Sequence, residues 1–372
     1  MVKTVSFLIT DLRGGGAERI TVNLANDLVD RGYLVDMVLL SATGSFLGLL
    51  HPSVRVVDLK VKRMRGVICP LVRYLQNSKP DAMVATMWPL TVIAVIARKF
   101  AFVTTRLVLA EHVTFSASRV ESPLQKFVMR GTMRIFFPSA EAIVAVSNGA
   151  AEDMADYSGL RRDKITRIYN PVIDPKVTHV DYDLDSRLAH WNAAEFKILT
   201  VGTLKEQKNH ELLIRAFSIL RERSNAHLLI LGEGHLRANL ETLVHQLGLD
   251  DYVSMPGFVS NPTAYYKHAD LFALSSDWEG LPTVLIEALA AGTPIVSTDC
   301  PSGPREILCD GKYGLLVPLG DAHALAKAMA SSLTSRHEPD ALMARAQDFA
   351  IDKAADQYLA LLFPRVSLGD NS

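Results

Sequence analysis

Short apolar runs rich in Val, Ile and Leu alternate along this chain with amphipathic stretches of helical length. In the first half these runs fall at residues 5–9, 34–40, 82–85, 106–110 and 142–146. In the second half they fall at 198–202, 227–231, 252–255, 271–275, 295–298 and 315–317. Uninterrupted apolar strands with helical crossovers predict parallel sheets covered on both faces. Asn209 reads as a helix N-cap, and Gly248 and Gly292 as helix ends. The expected fold class is therefore α/β, with two doubly wound domains facing a central cleft and ligands at the carboxyl ends of the strands. The first domain is expected over residues 1–170 and the second over 196–349. Between them, 171–195 is polar, carries Pro171 and Pro175, lacks periodicity and reads as a linker. A final helical pattern over 340–362 stops at Pro364. It belongs to the second domain or, as a helix within 350–372, completes the first.

Composition bounds this picture. With 372 residues, 49% of them hydrophobic, the chain can bury two cores of ordinary size. The net charge of -1 points neither to nucleic acid nor to a polyanionic substrate. Its distribution is uneven: 22 Lys and Arg stand against 14 Asp and Glu through Asn170, and 17 against 26 beyond it. A basic first half suggests an anionic contact such as a phospholipid surface; chance clustering of surface lysines is the alternative. Cys69, Cys300 and Cys309 form no Cys-x-x-Cys pair, which supports neither a zinc site nor a disulfide framework and fits a reducing compartment. The start of the chain has no signal-peptide pattern, and the longest apolar run, 82–97, is broken by Pro89 and too short for a membrane span. The expected location is cytoplasmic, peripheral at the inner face of a membrane.

The stretch Glu279-Gly280-Leu281-Pro282-Thr283-Val284-Leu285-Ile286-Glu287 is the most informative in the chain. It joins an apolar strand to a helix beginning near Pro282, a residue suited to a first helical turn. A helix N-terminus offers free backbone N–H groups and a positive dipole end, which favour a phosphate. Glu279 precedes that spot and Glu287 lies roughly 7–8 Å along the helix. One carboxylate can hold hydroxyls on one side of a diphosphate and the other those on the far side, the shape of a nucleotide-sugar. Glutamates on a helix are usually a charged face, but Glu287 lies in an apolar helix, where an acid needs a partner.

Other loops add candidates. Gly202-Thr203-Leu204-Lys205-Glu206-Gln207-Lys208 brings Lys208 just ahead of a helix, where it can neutralise a diphosphate or simply be solvated. Gly232-Glu233-Gly234 is a tight turn, more often structural. Gly14-Gly15-Gly16 links the first strand to a helix and allows close backbone approach. Arg19 occupies the third glycine's place of a dinucleotide fingerprint, so a nicotinamide site is poorly supported. Glu111-His112 follows a strand at its carboxyl edge, where His112 is either surface furniture or part of a cleft.

Taken together these residues resemble the retaining glycosyltransferases of family 4, with the two-domain GT-B architecture of Rossmann-like domains. The resemblance covers almost the whole chain. It is carried by the Gly14–Arg19 loop, Glu111-His112, Val146-Ser147-Asn148, Tyr169-Asn170-Pro171, the Lys208 loop, Leu231–Gly234, Pro256-Gly257-Phe258, the Glu279/Glu287 pair and Gly314–Val317. It implies that Glu279 binds the donor sugar and Glu287 the ribose. Lys208 would hold the diphosphate with N–H groups around Leu281, Pro282, Thr283 and Val284, beside Gly280 and Thr203. Phe258 and Val259 would line the base pocket. Gly15 and Gly16 would approach the diphosphate, and His112 the donor sugar or the reacting groups. Glu279, His112 and Lys208 are thus the expected catalytic set. Many relatives carry Arg where this chain has Thr203, so Lys205 or Arg13 would have to supply a second positive charge.

The same resemblance implies no cofactor and no metal: the nucleotide-sugar is a substrate. Asp183-Leu184-Asp185 imitates the metal-binding pair of another glycosyltransferase fold but sits in the linker. Retention implies attack from the leaving group's face, with the departing phosphate taking the acceptor's proton. Asp299–Glu306 resembles surface-polysaccharide transferases and favours a UDP-linked hexose or N-acetylhexosamine. The expected acceptor is a polyprenyl-diphosphate-linked saccharide, the partners being donor, lipid-linked acceptor and an anionic membrane, with no nucleic acid. Lys62, Arg63 and Arg65, preceded by Lys60, form one basic group for acceptor or membrane. Arg119, Lys126, Arg130 and Arg134, interleaved with apolar residues, form another that can lie on an anionic bilayer or pack on its own sheet. The alternatives are a nucleotide-sugar-binding protein without transferase activity and another GT-B activity such as an epimerase.

Overall fold

The computed structural model describes residues 2–116, 122–174, 188–259 and 261–364; Arg119, Asp183 and Asp185 lie outside the described residues. The chain divides into two compact units, Met1–Asp174 with Phe349–Ser372, and Pro175–Asp348. The first unit runs β1 (Thr4–Ile9), α1 (Gly16–Asp30), β2 (Leu34–Leu39), β3 (Arg55–Asp58), α2 (Ile68–Ser78) and β4 (Ala82–Thr86). It continues through α3 (Leu90–Ala101), β5 (Arg106–Glu111), α4 (Pro123–Phe136), β6 (Ala142–Ala145), α5 (Asn148–Ser158) and β7 (Ile165–Arg167). The second unit runs α6 (Ala189–Ala193), β8 (Phe196–Val201), α7 (His210–Arg221), β9 (Ala226–Leu231), α8 (Arg237–Gln246), β10 (Val253–Gly257) and α9 (Thr263–His268). It ends with β11 (Leu271–Leu274), α10 (Thr283–Ala290), β12 (Ile295–Thr298), α11 (Pro304–Ile307), β13 (Leu315–Val317), α12 (Ala322–Thr334) and α13 (Pro339–Ala346), before α14 (Ile351–Leu362) returns to the first unit.

Each unit holds one parallel sheet. The seven-stranded order is β3-β2-β1-β4-β5-β6-β7, and the six-stranded order is β10-β9-β8-β11-β12-β13. Both are doubly wound: the order reverses between β1 and β4, and between β8 and β11, and loops diverging there leave room for a ligand. The apolar runs form the sheet cores because both faces are covered. Phe7, Ile9, Val84 and Val108 pack with Leu24 and Leu28 of α1 in the first unit; Ile198, Leu228 and Ile230 pack with Leu213 and Phe217 of α7 in the second. Burying one such side chain contributes about 1.5–3 kcal/mol.

Three features differ from the sequence pattern. β3 and β7 had no apolar signature, because each is a short edge strand with exposed positions. The stretch 340–362 is two helices, not one. Ala350 is extended, and the Phe349 carbonyl accepts from the N–H groups of Val172 and Ile173 while Ile351 donates to Ile173 at 2.8 Å. These bonds replace helical ones and hold 172–173 against the start of α14. Ala354, Ala355, Tyr358 and Leu362 of that helix join the first core. At its other end the expected linker forms α6, where Trp191 is fully buried and tilts on Tyr265 with ring centres 6.1 Å apart. A large aromatic side chain explains why that end packs rather than hangs free.

Candidate functional site

In the second unit, the Lys208 loop leaves β8 and the Glu279 loop leaves β11, so the two flank the point where strand order reverses. Local chemistry explains the path of the first. Residues Glu206–Lys208 make a 3-10 turn, Asn209 turns left-handed at φ 43°, and its side-chain oxygen caps α7 by accepting from Leu212 N–H at 3.1 Å. Asn tolerates that conformation and caps well. The Asn209 amide also donates to Asp277 at 2.9 Å, and Asp277 N–H donates to the Gln207 carbonyl at 2.9 Å. These bonds stitch the two loops together.

Glu279 is the hub. Its Oε1 accepts from Lys208 Nζ at 2.6 Å and from Ser276 Oγ at 2.7 Å, and its Oε2 accepts from Gln207 Nε2 at 3.3 Å. The carboxylate is buried and Lys208 is 16% exposed at its side chain. Truncating either member of such a buried pair leaves an uncompensated charge, a cost of about 3–5 kcal/mol. The Lys208 backbone is fixed as well, its carbonyl accepting from Ser275 Oγ at 2.9 Å.

The residues after Glu279 run directly into α10. That helix starts at Thr283, so Pro282 stands at its N-cap rather than in its first turn. The Gly280 carbonyl accepts from Ser302 Oγ at 2.9 Å, and Gly303 (φ +89°) approaches so closely that a Cβ there would lie 2.5 Å from Pro282 Cδ. The 302–303 turn thus braces the entrance to α10. Farther along, Glu287 is half-buried and its Oε2 accepts from Tyr266 Oη at 2.9 Å. Burial and the neighbouring carboxylate push the Tyr266 phenol pKa well up, so it remains a donor. This is the partner that a glutamate in so apolar a helix demanded.

The remaining candidates of this unit fall around the same sheet end. Thr203 is exposed on the Lys208 loop. Phe258 (exposed) and Val259 follow β10, an edge strand two removed from β8. Gly232 and Gly234 are structural: a Cβ on Gly232 would meet the Gly202 carbonyl oxygen at 1.9 Å, and one on Gly234 the Leu204 carbonyl oxygen at 2.2 Å.

In the first unit, Gly15 is the N-cap residue of α1, and Gly16 has open space where a Cβ would stand. Arg13 is ion-paired with Asp11 at 3.1 Å. Glu111, at the end of β5, is fully buried and accepts from Trp88 N–H at 3.1 Å and Thr91 Oγ1 at 2.9 Å. Burial pushes its carboxyl up to about 7 against the opposing pull of those bonds. His112 beside it has a buried, unpartnered Nδ1 and bonds Asn170; burial lowers its pKa to about 4, so the ring is neutral near pH 7. Lys62, Arg63 and Arg65 are exposed around a 3-10 turn before α2, whereas Lys126, Arg130 and Arg134 belong to α4. The two basic groups therefore lie on different elements.

The sequence pattern did not reveal Ser276, Gln207, Tyr266, Ser302 or Trp88. Gln207, Tyr266, Ser302 and Trp88 act through hydrogen bonds between segments distant in sequence, a relation that linear spacing does not display, whereas Ser276 bonds Glu279 within its own loop. Ser276 and Gln207 alone carried a clue, being polar residues one to three positions from the named acid and base.

A second unit that presents a helix N-terminus, a cation and two gripped carboxylates is suited to a nucleoside diphosphate with a sugar at each end. The Glycosyltransferase Family 4 model matches residues 14–174, and that of the Glycosyl transferases group 1 matches residues 185–349. The chain is 29% identical over 345 residues to the N-acetylgalactosamine-N,N'-diacetylbacillosaminyl-diphospho-undecaprenol 4-alpha-N-acetylgalactosaminyltransferase of Campylobacter jejuni, covering 89% of this chain and 90% of that one. It is also 29% identical to the GalNAc-alpha-(1->4)-GalNAc-alpha-(1->3)-diNAcBac-PP-undecaprenol alpha-1,4-N-acetyl-D-galactosaminyltransferase of the same organism, over 96% and 98% of the two chains. Among solved structures, Anabaena HepE in complex with UDP and glucose superposes with a TM-score of 0.80 at 21% identity, over 97% of this chain and 99% of that one.

Proposed function

Since the chain belongs to family 4 of the GT-B glycosyltransferases, we propose that it transfers a hexose or N-acetylhexosamine from a UDP-linked donor to a polyprenyl-diphosphate-linked saccharide in surface-glycan assembly. The observation that carries the donor half is the Lys208–Glu279 ion pair beside the start of α10. In this reading the diphosphate lies at the helix N-terminus with Lys208, Glu279 grips the transferred sugar, and Glu287 the ribose. As the sugar–phosphate bond breaks, charge grows on the departing diphosphate. Prearranged N–H groups and Lys208 stabilise it without reorganisation and without a metal ion. The acceptor hydroxyl attacks from the leaving group's face and gives its proton to the departing phosphate, so configuration is retained and no strong side-chain base is needed. His112, neutral near pH 7, is suited to hydrogen-bonding the reacting groups rather than to carrying charge.

The acceptor half rests on the relatives, two of which act on undecaprenol-linked saccharides by name. Such an acceptor would hold the enzyme at the cytoplasmic face of a membrane. Among the described residues no helix is long and apolar enough to cross one. The test is a screen of labelled nucleotide-sugars against membrane lipid extract, with the wild type beside Lys208→Gln and Glu279→Gln. Transfer from a UDP-sugar into lipid, reduced about 100-fold or more in each folded variant, is the expected result. Near-normal transfer by either variant, or consumption of donor without any acceptor product, would overturn the proposal.

A further inference from the structure

The first unit reverses its strand order between β1 and β4, and Trp88 stands two residues beyond β4 at the carboxyl end of the sheet. Loops leaving neighbouring strands at such a reversal border a crevice. The backbone leading to Trp88 is held in an unfavourable shape. Met87 is left-handed (φ 63°), a conformation uncommon outside glycine, asparagine and aspartate. Its N–H donates to the Ala110 carbonyl of β5 at 2.9 Å, and its own carbonyl accepts from Leu90 N–H at 2.9 Å. The next peptide is tied to a buried acid: Trp88 N–H donates to Glu111 Oε2 at 3.1 Å, while Glu111 Oε1 accepts from Thr91 Oγ1 at 2.9 Å. The indole is fixed from a third element, its Nε1–H donating to Thr132 Oγ1 of α4 at 3.1 Å. Strain of this kind persists only where the surroundings over-determine it, and it gathers where ligands are held. A tryptophan serving the core alone would be covered, as Trp191 is; Trp88 stays half-buried. Its one polar side-chain atom is already bonded within the protein, so what it offers a ligand is a rigid carbon surface.

We infer that Trp88 is the platform of an acceptor-sugar subsite, on which a pyranose of the acceptor saccharide stacks its C–H face. The chemistry of the ring selects this class of ligand. Pyranose C–H bonds are polarised by the oxygens around them, and their positive hydrogens suit the negative face of an indole. A phosphate group would be repelled by that face, and the mount itself, built from Met87, Thr91, Glu111 and Thr132, supplies no cation. The inference rests on the transferase reading above and extends it to the first unit, whereas Lys208, Glu279 and Glu287 belong to the second.

Two variants of the full-length protein test it, Trp88→Leu and Trp88→Phe. Both delete the bond to Thr132, but only Phe restores an aromatic face, so a purely structural role would damage them equally. With the UDP-sugar held at saturation and membrane lipid extract varied as acceptor, Trp88→Leu is expected to raise KM for acceptor about tenfold, and Trp88→Phe about threefold at most. The affinity for UDP-sugar, measured without acceptor, stays unchanged in both. Tryptophan fluorescence gives a second reading that needs no turnover and only the Phe variant, and so stands even where Trp88→Leu fails to fold. Methyl α-glycosides of N-acetylgalactosamine, N-acetylglucosamine, galactose and glucose are titrated into donor-free protein. At least one should change the emission of the wild type and of Trp278→Phe, but not of Trp88→Phe. The same pattern in a protein that transfers nothing would support the sugar subsite while overturning the function proposed above. Intact transfer with an unchanged acceptor KM in Trp88→Leu, or equal losses in the two variants, would overturn the inference. So would a glycoside response that survives in Trp88→Phe, or no response to any of the four.

Discussion

Glu287 and Tyr266 show how a single buried phenol sets the aim of a carboxylate. Tyr266 packs on Phe272 with ring centres 5.4 Å apart and donates to Glu287 Oε2. Tyr266→Phe keeps the ring and removes only the donor. A hydrogen bond to a charged group is worth about 1.5–3 kcal/mol, so the variant should raise KM for the donor about tenfold while kcat changes little. Steady-state kinetics check this, and a donor lacking ribose hydroxyls should show no further loss in the variant. An equal fall in kcat would place Tyr266 in another role. Glu111 offers a different residue-scale test. Its carboxyl titrates at about 7 when folded and near 4.3 when unfolded. The folded state therefore keeps a proton that the unfolded chain releases, and stability is lost as pH rises from about 4.3 through 7. Thermal midpoints of the wild type relative to Glu111→Gln should decline over that window and level off above it. A pH-independent difference would contradict the assignment.

Loop elements depend on close backbone contact as much as on side chains. Gly232 (φ +153°) lies under the Gly202 carbonyl, at the root of the Lys208 loop. Gly232→Ala adds both backbone strain and a clash, and should cost about 2 kcal/mol or more, measured by denaturant unfolding, with donor binding weakened in step. Full stability in that variant would mean that the loop can shift freely. This contact also marks the limit of what the chain discloses before it is folded. The eleven apolar runs all became strands: nine lie inside the sheets, where burial on both faces demands a continuous apolar run, while the edge strands β10 and β13 are apolar but only partly buried. β3 and β7 escaped notice because edge strands need bury less. The helix break at 347–350 escaped too, since it arises from pairing with 172–173, some 175 positions away. The acids and Lys208 were legible as residues; their mutual bond at 2.6 Å, and the supporting Ser276, Gln207 and Tyr266, were not.

At the scale of the whole molecule, the two doubly wound units and the family match make a glycosyltransferase of the GT-B kind. The uneven charge follows that division, the basic share lying in the half that carries α4 and the acidic share in the half that carries Glu279 and Glu287. Transfer to lipid-embedded acceptor should therefore fall as ionic strength rises, while transfer to a soluble analogue changes little; a matching fall in both would assign the effect to the donor site instead. The central claim concerns the donor. The most direct measurement is a crystal structure with an intact UDP-sugar analogue bound. The account predicts the diphosphate at the N–H groups of Thr283 and Val284 with Lys208 Nζ turned onto it, sugar hydroxyls on Glu279 and ribose hydroxyls on Glu287. A nucleotide bound away from both glutamates, or a divalent ion bridging its phosphates, would contradict it.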